Sequence, residues 1–317
     1  MQSRCNLFCL IYFLEPSMTS LHDIIDSKLQ NNDVVKRQQD IGVLRVSGPD
    51  AKKLLQGQTT CDINKLSQET GLYGAICSIK GRIISSFYIV QNNEDVLMLM
   101  AKDLVEKTLI HLKKYAVFFK TELVDEQDNF AVYAKLAASQ SDASDQFATS
   151  HNSDVISLTV SQEPLDIQWL ICPASNHEIE EQNPELAALA ILAARPLISL
   201  EQSENILPQW LNMQSTGGIS FTKGCYTGQE IVARMQYKGK SKKQLALVTW
   251  QGHLDTTQDI LDGQGKNVGQ IFSSAHIQDH HYAQIILNID PSEADQLLMD
   301  GSELTLLPLP YSLEAKK

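Results

Sequence analysis

The chain has 317 residues, enough for two or three domains and a substantial core. Its 43% hydrophobic and 20% charged residues are those of an ordinary globular protein, and a formal charge of −12 predicts no general affinity for nucleic acid. Six cysteines at 5, 9, 61, 77, 172 and 225 show no CxxC spacing, which excludes a disulfide framework and predicts reduced thiols in a cytoplasmic protein.

In chain order, Arg4 precedes an apolar run from Cys5 to Leu14 that is too short to span a bilayer. Glu15-Pro16-Ser17-Met18 is a poor cleavage site, so residues 1–17 read as a start-site extension ahead of Met18. Leu21, Ile24, Ile25 and Leu29 predict an amphipathic helix opened by Ser20, and residues 30–40 a polar linker. Ile41 to Val46 predicts a strand, and Pro49 then suits the first turn of a helix running through Leu55. Residues 72–79 and 83–90 predict two strands joined at Lys80-Gly81, followed by a strand at 96–100 and a long helix at 102–115. Mixed strands and helices are expected from Phe130 to Ala194, with strands at 155–160 and 167–171. Beyond Lys243 the texture changes to strands at 245–250, 268–273, 282–289 and 304–307, separated by Gly, Asp and His turns. The expected class is α+β: a first lobe over 18–125, a second over 126–242, and a small β-barrel over 243–317.

The most informative segment is Lys223-Gly224-Cys225-Tyr226-Thr227-Gly228-Gln229-Glu230. Ile231, Val232 and Met235 give the following residues a helical apolar face, with Ala233 and Arg234 on the other side. Cys225 is therefore expected at or just before a helix N-terminus, where a thiol near Lys223 ionises more readily than a free one. A small buried cysteine filling space is the alternative. Lys223, Arg234, Lys238, Lys240, Lys242 and Lys243 face only Glu230 among acids, giving a basic strip on an acidic chain. It reads either as a solvated loop or as a site for an anion: a polyglutamate tail, a phosphate or an RNA backbone. His276, His280 and His281 have metal-like spacing but fit an exposed turn better than zinc. There is no phosphate-binding glycine loop.

Five motifs in order carry a resemblance. They are Gln56 to Asp62, Lys80-Gly81-Arg82, Leu112 to Phe118, the run from Leu207-Pro208-Gln209 through Asn212 and Gly217-Gly218 into Lys223–Glu230, and Pro308 to Glu314. Together they resemble the folate-binding YgfZ family, which is related to the aminomethyltransferase (T-protein, GcvT) of glycine cleavage. The resemblance implies two GcvT-like, ferredoxin-like lobes and a C-terminal β-barrel. It implies a tetrahydrofolate-binding accessory factor that supports iron–sulfur enzymes, including those that methylthiolate tRNA. Folate, not nucleic acid or membrane, is the expected ligand, and no metal is expected on this chain alone, since iron–sulfur clusters take about four protein ligands.

By the same resemblance Cys225 is a functional thiol, and Ile41, Leu186, Asn212, Lys223, Tyr226, Gln229, Glu230 and Arg234 are folate contacts. Gln58, Lys80, Gly81, Arg82, Lys114 and Tyr115 are further motif positions. Departures matter. Ile41 and Leu186 stand where relatives carry tryptophans, and Leu192 where a glutamate meets the pterin. Ile84 stands where the transferases place an aspartate, and Ser78 supplies no substitute. These changes predict weak folate binding and no aminomethyl transfer. An active one-carbon transferase and a scaffold with a vestigial pocket are the alternatives.

Overall fold

Unbroken apolar runs become central strands, and the glycines between them set how closely the layers approach. The computed structural model describes residues 34–138, 147–162, 165–176, 179–182, 184–238, 243–277 and 279–313. The expected start-site extension and the helix around Leu21 lie outside these residues.

The first sheet contains β2 (Ile41–Ser47), β3 (Leu72–Cys77), β4 (Ile83–Asn92), β5 (Asp95–Ala101) and β6 (Glu122–Asp125), in the order β3-β4-β5-β2-β6. All its pairings are antiparallel. The first eight residues of β4 and all of β3 are buried, as expected for strands covered on both faces. Helix α1 (Ala51–Gln56) follows β2. The long helix begins as a 3-10 turn at Lys102–Leu104 and continues as α2 (Val105–Ala116). It crosses β2 at Gly42, where an added Cβ would lie 2.6 Å from the Val105 side chain. Pro49 lies outside α1, because the helix starts only at Ala51, after Asp50.

The second sheet has the order β1-β7-β10-β9-β8, from Val34–Arg37, Phe130–Ala138, Leu165–Pro173, Val155–Ser161 and Thr149–Asn152 respectively. Strand β1 precedes the first lobe in sequence but pairs antiparallel with β7 in the second, burying Val34 and Val35. The helices expected between Phe130 and Ala194 amount to one 3-10 segment, Pro184–Ala193, among the described residues.

Helix α3 (Gln229–Lys238) leads to the barrel, a nearly closed seven-stranded sheet in the order β16-β15-β12-β13-β14-β11-β17. Its strands are β11 (Gln244–Gln251), β12 (Ile260–Asp262), β13 (Asn267–Ile277), β14 (His280–Leu287), β15 (Leu297–Met299), β16 (Ser302–Glu303) and β17 (Thr305–Leu307). One apolar core joins both lobes to barrel residues such as Phe272, Tyr282 and Ile286, and a smaller core belongs to the barrel alone.

Candidate functional site

Three motifs far apart in sequence close on one another in a clasp. The turn after α1 carries Gln58, Thr59 and Cys61; the β3–β4 hairpin carries Ser78 to Arg82; the third component is Lys223 to Gly228. Lys223 is buried, and its Nζ donates to the carbonyls of Thr59 and Cys61, each at 2.7 Å. Thr227 donates its amide to the Gly57 carbonyl at 3.2 Å and its hydroxyl to Gln58 Oε1 at 3.2 Å. Gly228 has φ of +84°, and a Cβ there would overlap the Ser78 carbonyl oxygen. Gly81, at φ +69°, is as close to α3: its Cβ would meet Ile231 at 2.8 Å.

Cys225 projects from this clasp as an exposed free thiol, whereas Cys61, Cys77 and Cys172 are buried. The space-filling alternative for Cys225 is therefore excluded. Cys225 lies just before α3, with residues 226–228 between them. One expectation needs correction: Lys223 is neither a cation beside the thiol nor an arm for a folate tail, since its ammonium is turned into the clasp. Burial lowers the Lys223 pKa to about 8, partly countered by nearby Cys61 and Asp62. Burial likewise raises the Cys61 thiol to about 11, against the pull of Lys223, and the Cys77 thiol to about 12.

The other expected folate contacts do not converge on one open pocket. Ile41 borders a cavity of about 430 Å³ with Asp40, Lys102 and Gln127. Ile84 borders a different one of about 440 Å³ with His111, Lys114 and Leu200. Leu186 and Leu192 are sealed in the main core. Asn212 is buried at φ +55°, its Nδ2 donating to the Leu245 carbonyl at 2.9 Å, so it ties this segment to the barrel. Tyr226 is buried with its hydroxyl unpartnered among the described residues, and burial raises its pKa. Gln229 is half-buried; Glu230 and Arg234 are exposed on α3.

Among the remaining motif residues, Lys80 and Lys114 are exposed, and Tyr115 packs its ring 5.3 Å from that of His111. Arg82 donates from Nη1 to the Asn205 carbonyl at 2.8 Å and lies 4.9 Å from the Trp210 ring centre. The histidines expected in a turn lie in strands instead. His276 pairs with His281 across β13 and β14, and His281 stacks on Trp250 at 5.1 Å. Among the described residues no three His, Cys, Asp or Glu side chains gather to hold a metal.

Sequence reasoning gave no role to the turn Ala194-Arg195-Pro196. Its carbonyls accept from Tyr311 (3.0 Å), Tyr88 (3.1 Å) and Tyr73 (2.8 Å) respectively. The Arg195 guanidinium sits 5.7 Å from the Phe147 ring and 5.4 Å from the Tyr311 ring, and Tyr88 packs 5.0 Å from Trp169. Both sheets and the tail meet here. The available signal was a lone arginine beside a proline between apolar runs.

No family model matches the chain. It is 32% identical to "tRNA-modifying protein YgfZ" of Enterobacter sp. (strain 638), over 87% of this chain and 92% of that protein. The protein of the same name from Photobacterium profundum is 33% identical, over 87% and 91%. The fold is that of the glycine cleavage system aminomethyltransferase T from Bartonella henselae, with a TM-score of 0.64 over 92% of this chain and 90% of that one, at 11% identity.

Proposed function

The chain belongs to the YgfZ family, and from that premise we propose that it serves tRNA modification as a folate-binding accessory factor and not as an aminomethyltransferase. Iron–sulfur enzymes that methylthiolate tRNA are its clients in this reading, and Cys225 is the group it presents to them. A reducing compartment suits the four free cysteines among the described residues. Among the described residues no helix is long and apolar enough to cross a membrane.

Ile84 is the observation that carries the choice between factor and enzyme. The resemblance puts the transferase carboxylate at this position, and here it holds a buried aliphatic side chain. Catalysis needs a group that interacts more strongly with the transition state than with the ground state, and an alkyl chain offers none to a reacting nitrogen. The experiment pairs complementation with turnover. In a strain lacking its own family member, the gene should restore methylthiolated tRNA and Cys225→Ala should not. The purified protein should form no methylene-tetrahydrofolate from an aminomethylated lipoyl carrier. Sustained turnover, or full rescue by Cys225→Ala, overturns the reading.

The sealing of Leu186 and Leu192 favours one second reading, an interaction scaffold with a vestigial pocket. Calorimetric titration with tetrahydrofolate separates the two: measurable heat of binding supports the folate factor, and its absence up to about millimolar ligand supports the scaffold.

A further inference from the structure

A folded chain needs glycine where the backbone turns left-handed, or where a neighbour lies too close for a Cβ. Gly81 and Gly228 meet both conditions inside the clasp. Gly224, beside the thiol, meets neither. Its φ lies outside the left-handed region, and no atom of the described residues comes within 4 Å of where its Cβ would stand. Gly252, Gly265 and Gly301 are as open, but each is left-handed, so Gly224 is alone among the described glycines. An exposed glycine of this kind frees the unfolded chain and lowers stability, with no packing inside the molecule to offset the loss. The clearance above it therefore faces outward.

Apolar side chains stand in solvent on both sides of this gap. The hairpin tip carries Ile79, 79% exposed, one residue beyond the Ser78 carbonyl that abuts Gly228. On the other side Phe221 meets the ring of Tyr237 edge-on at 5.9 Å, and Tyr237 stays 56% exposed. Lys80 and Arg234 are exposed on the same hairpin tip and helix, against Glu230. We propose that this surface docks a partner protein, which covers Gly224 at van der Waals distance and receives Ile79 in an apolar recess edged by carboxylates. Exposed apolar residues rimmed by charge mark such contacts, and an aliphatic tip offers nothing for an RNA base to stack on. The missing side chain at 224 is the room through which the partner reaches Cys225. That the thiol is the group presented rests on the reading above; the surface itself does not.

The test places the photo-crosslinking residue benzoylphenylalanine at position 79 of the full-length chain, in the strain lacking its own family member. Illumination should give a discrete protein adduct, and Gly224→Leu should reduce it at least about tenfold. The same variant should melt like the wild type, and iodoacetamide should alkylate its Cys225 within about twofold of the wild-type rate, so that fold and thiol are intact. Gly224→Ala should melt about 1–3 °C higher and reduce the adduct about threefold, which keeps the test decisive if leucine disturbs the loop. An adduct alone does not support the proposal; its dependence on residue 224 does. No adduct, an adduct indifferent to residue 224, one formed only with RNA or with a second copy of this chain, or a Gly224→Ala protein that melts below the wild type each overturns it. Methylthiolated tRNA restored equally by Gly224→Leu would remove the surface and leave the family reading standing. A residue-224-dependent adduct in cells whose tRNA modification ignores this protein would do the reverse.

Discussion

Lys223 and Lys243 bound the same basic run and meet opposite fates. In the clasp, Lys223 is withdrawn from water and held by two carbonyls of a distant turn, acting as an internal cross-link. At the other end, Lys243 stays exposed, its ammonium 4.2 Å from the centre of the Trp210 ring. The difference lies in burial, not in residue type. A lysine among backbone oxygens spends its donors locally and cannot extend its ammonium to a ligand, though it keeps its charge. One on an aromatic face at a rim keeps most of its field and its reach. A stretch of positive charge in a sequence is therefore not one electrostatic object.

The contrast can be broken most strongly at Gly228. Gly228→Ala imposes a left-handed backbone on alanine and drives its Cβ into the Ser78 carbonyl, so a loss of about 3 kcal/mol or more is expected in a denaturant melt. Lys223→Met comes next. It removes the donor to two carbonyls but relieves a buried ammonium, and the balance is a loss of about 2 kcal/mol in the same measurement.

A pH series on the wild type sharpens the contrast. With a folded-state pKa of about 8, below its ordinary 10.5, Lys223 makes the unfolded chain bind more protons from pH 8 upward, so stability rises there. Cys61 and Cys77 act in the opposite sense. Their folded values of about 11 and 12 lie above the ordinary 9.0, so the unfolded chain loses protons first and stability falls beyond pH 9. Melting temperatures should pass through a shallow maximum near pH 9 in the wild type, and the rising limb should vanish in Lys223→Met. The smallest effect belongs to Cys225→Ala. An exposed thiol contributes within about 0.5 kcal/mol to stability, so this variant should melt like the wild type while failing the tRNA complementation assay.

The hairpin at Lys80-Gly81 was legible because two unbroken β-prone runs flank a turn glycine, and the barrel because its strands follow one another closely. Strand β1 was not legible: it lies within residues 30–40, read as a polar linker, and nothing in four residues says that two valines will pair with β7. The 3-10 course of Pro184–Ala193 was equally hidden, since an all-apolar segment has no face to give it a period. Barrel strands as short as Ile260–Asp262 and Leu297–Met299 carry too few residues to alternate. At the site, motif order identified which segments matter, and local chemistry could not say where their side chains turn. Lys223 looked like a surface cation because its partners lie 162 and 164 residues away. Ile41, Leu186 and Ile84 looked like one pocket because the resemblance aligned them, whereas packing assigns them to two cavities and a core.

The distance that Lys223 spans also sets an order of assembly. Synthesis delivers the turn at Thr59–Cys61 long before Lys223 exists, and a contact across more than a hundred residues forms only after the intervening chain has been ordered. Until then the two carbonyls that end up beneath the ammonium are left to water, and the hairpin has no glycine knuckle to close upon. The loop bearing Cys225 thus takes its place only once the turn and the hairpin of the first sheet are there to receive it. A chain cut before Lys223 would carry those receiving elements and no thiol to position.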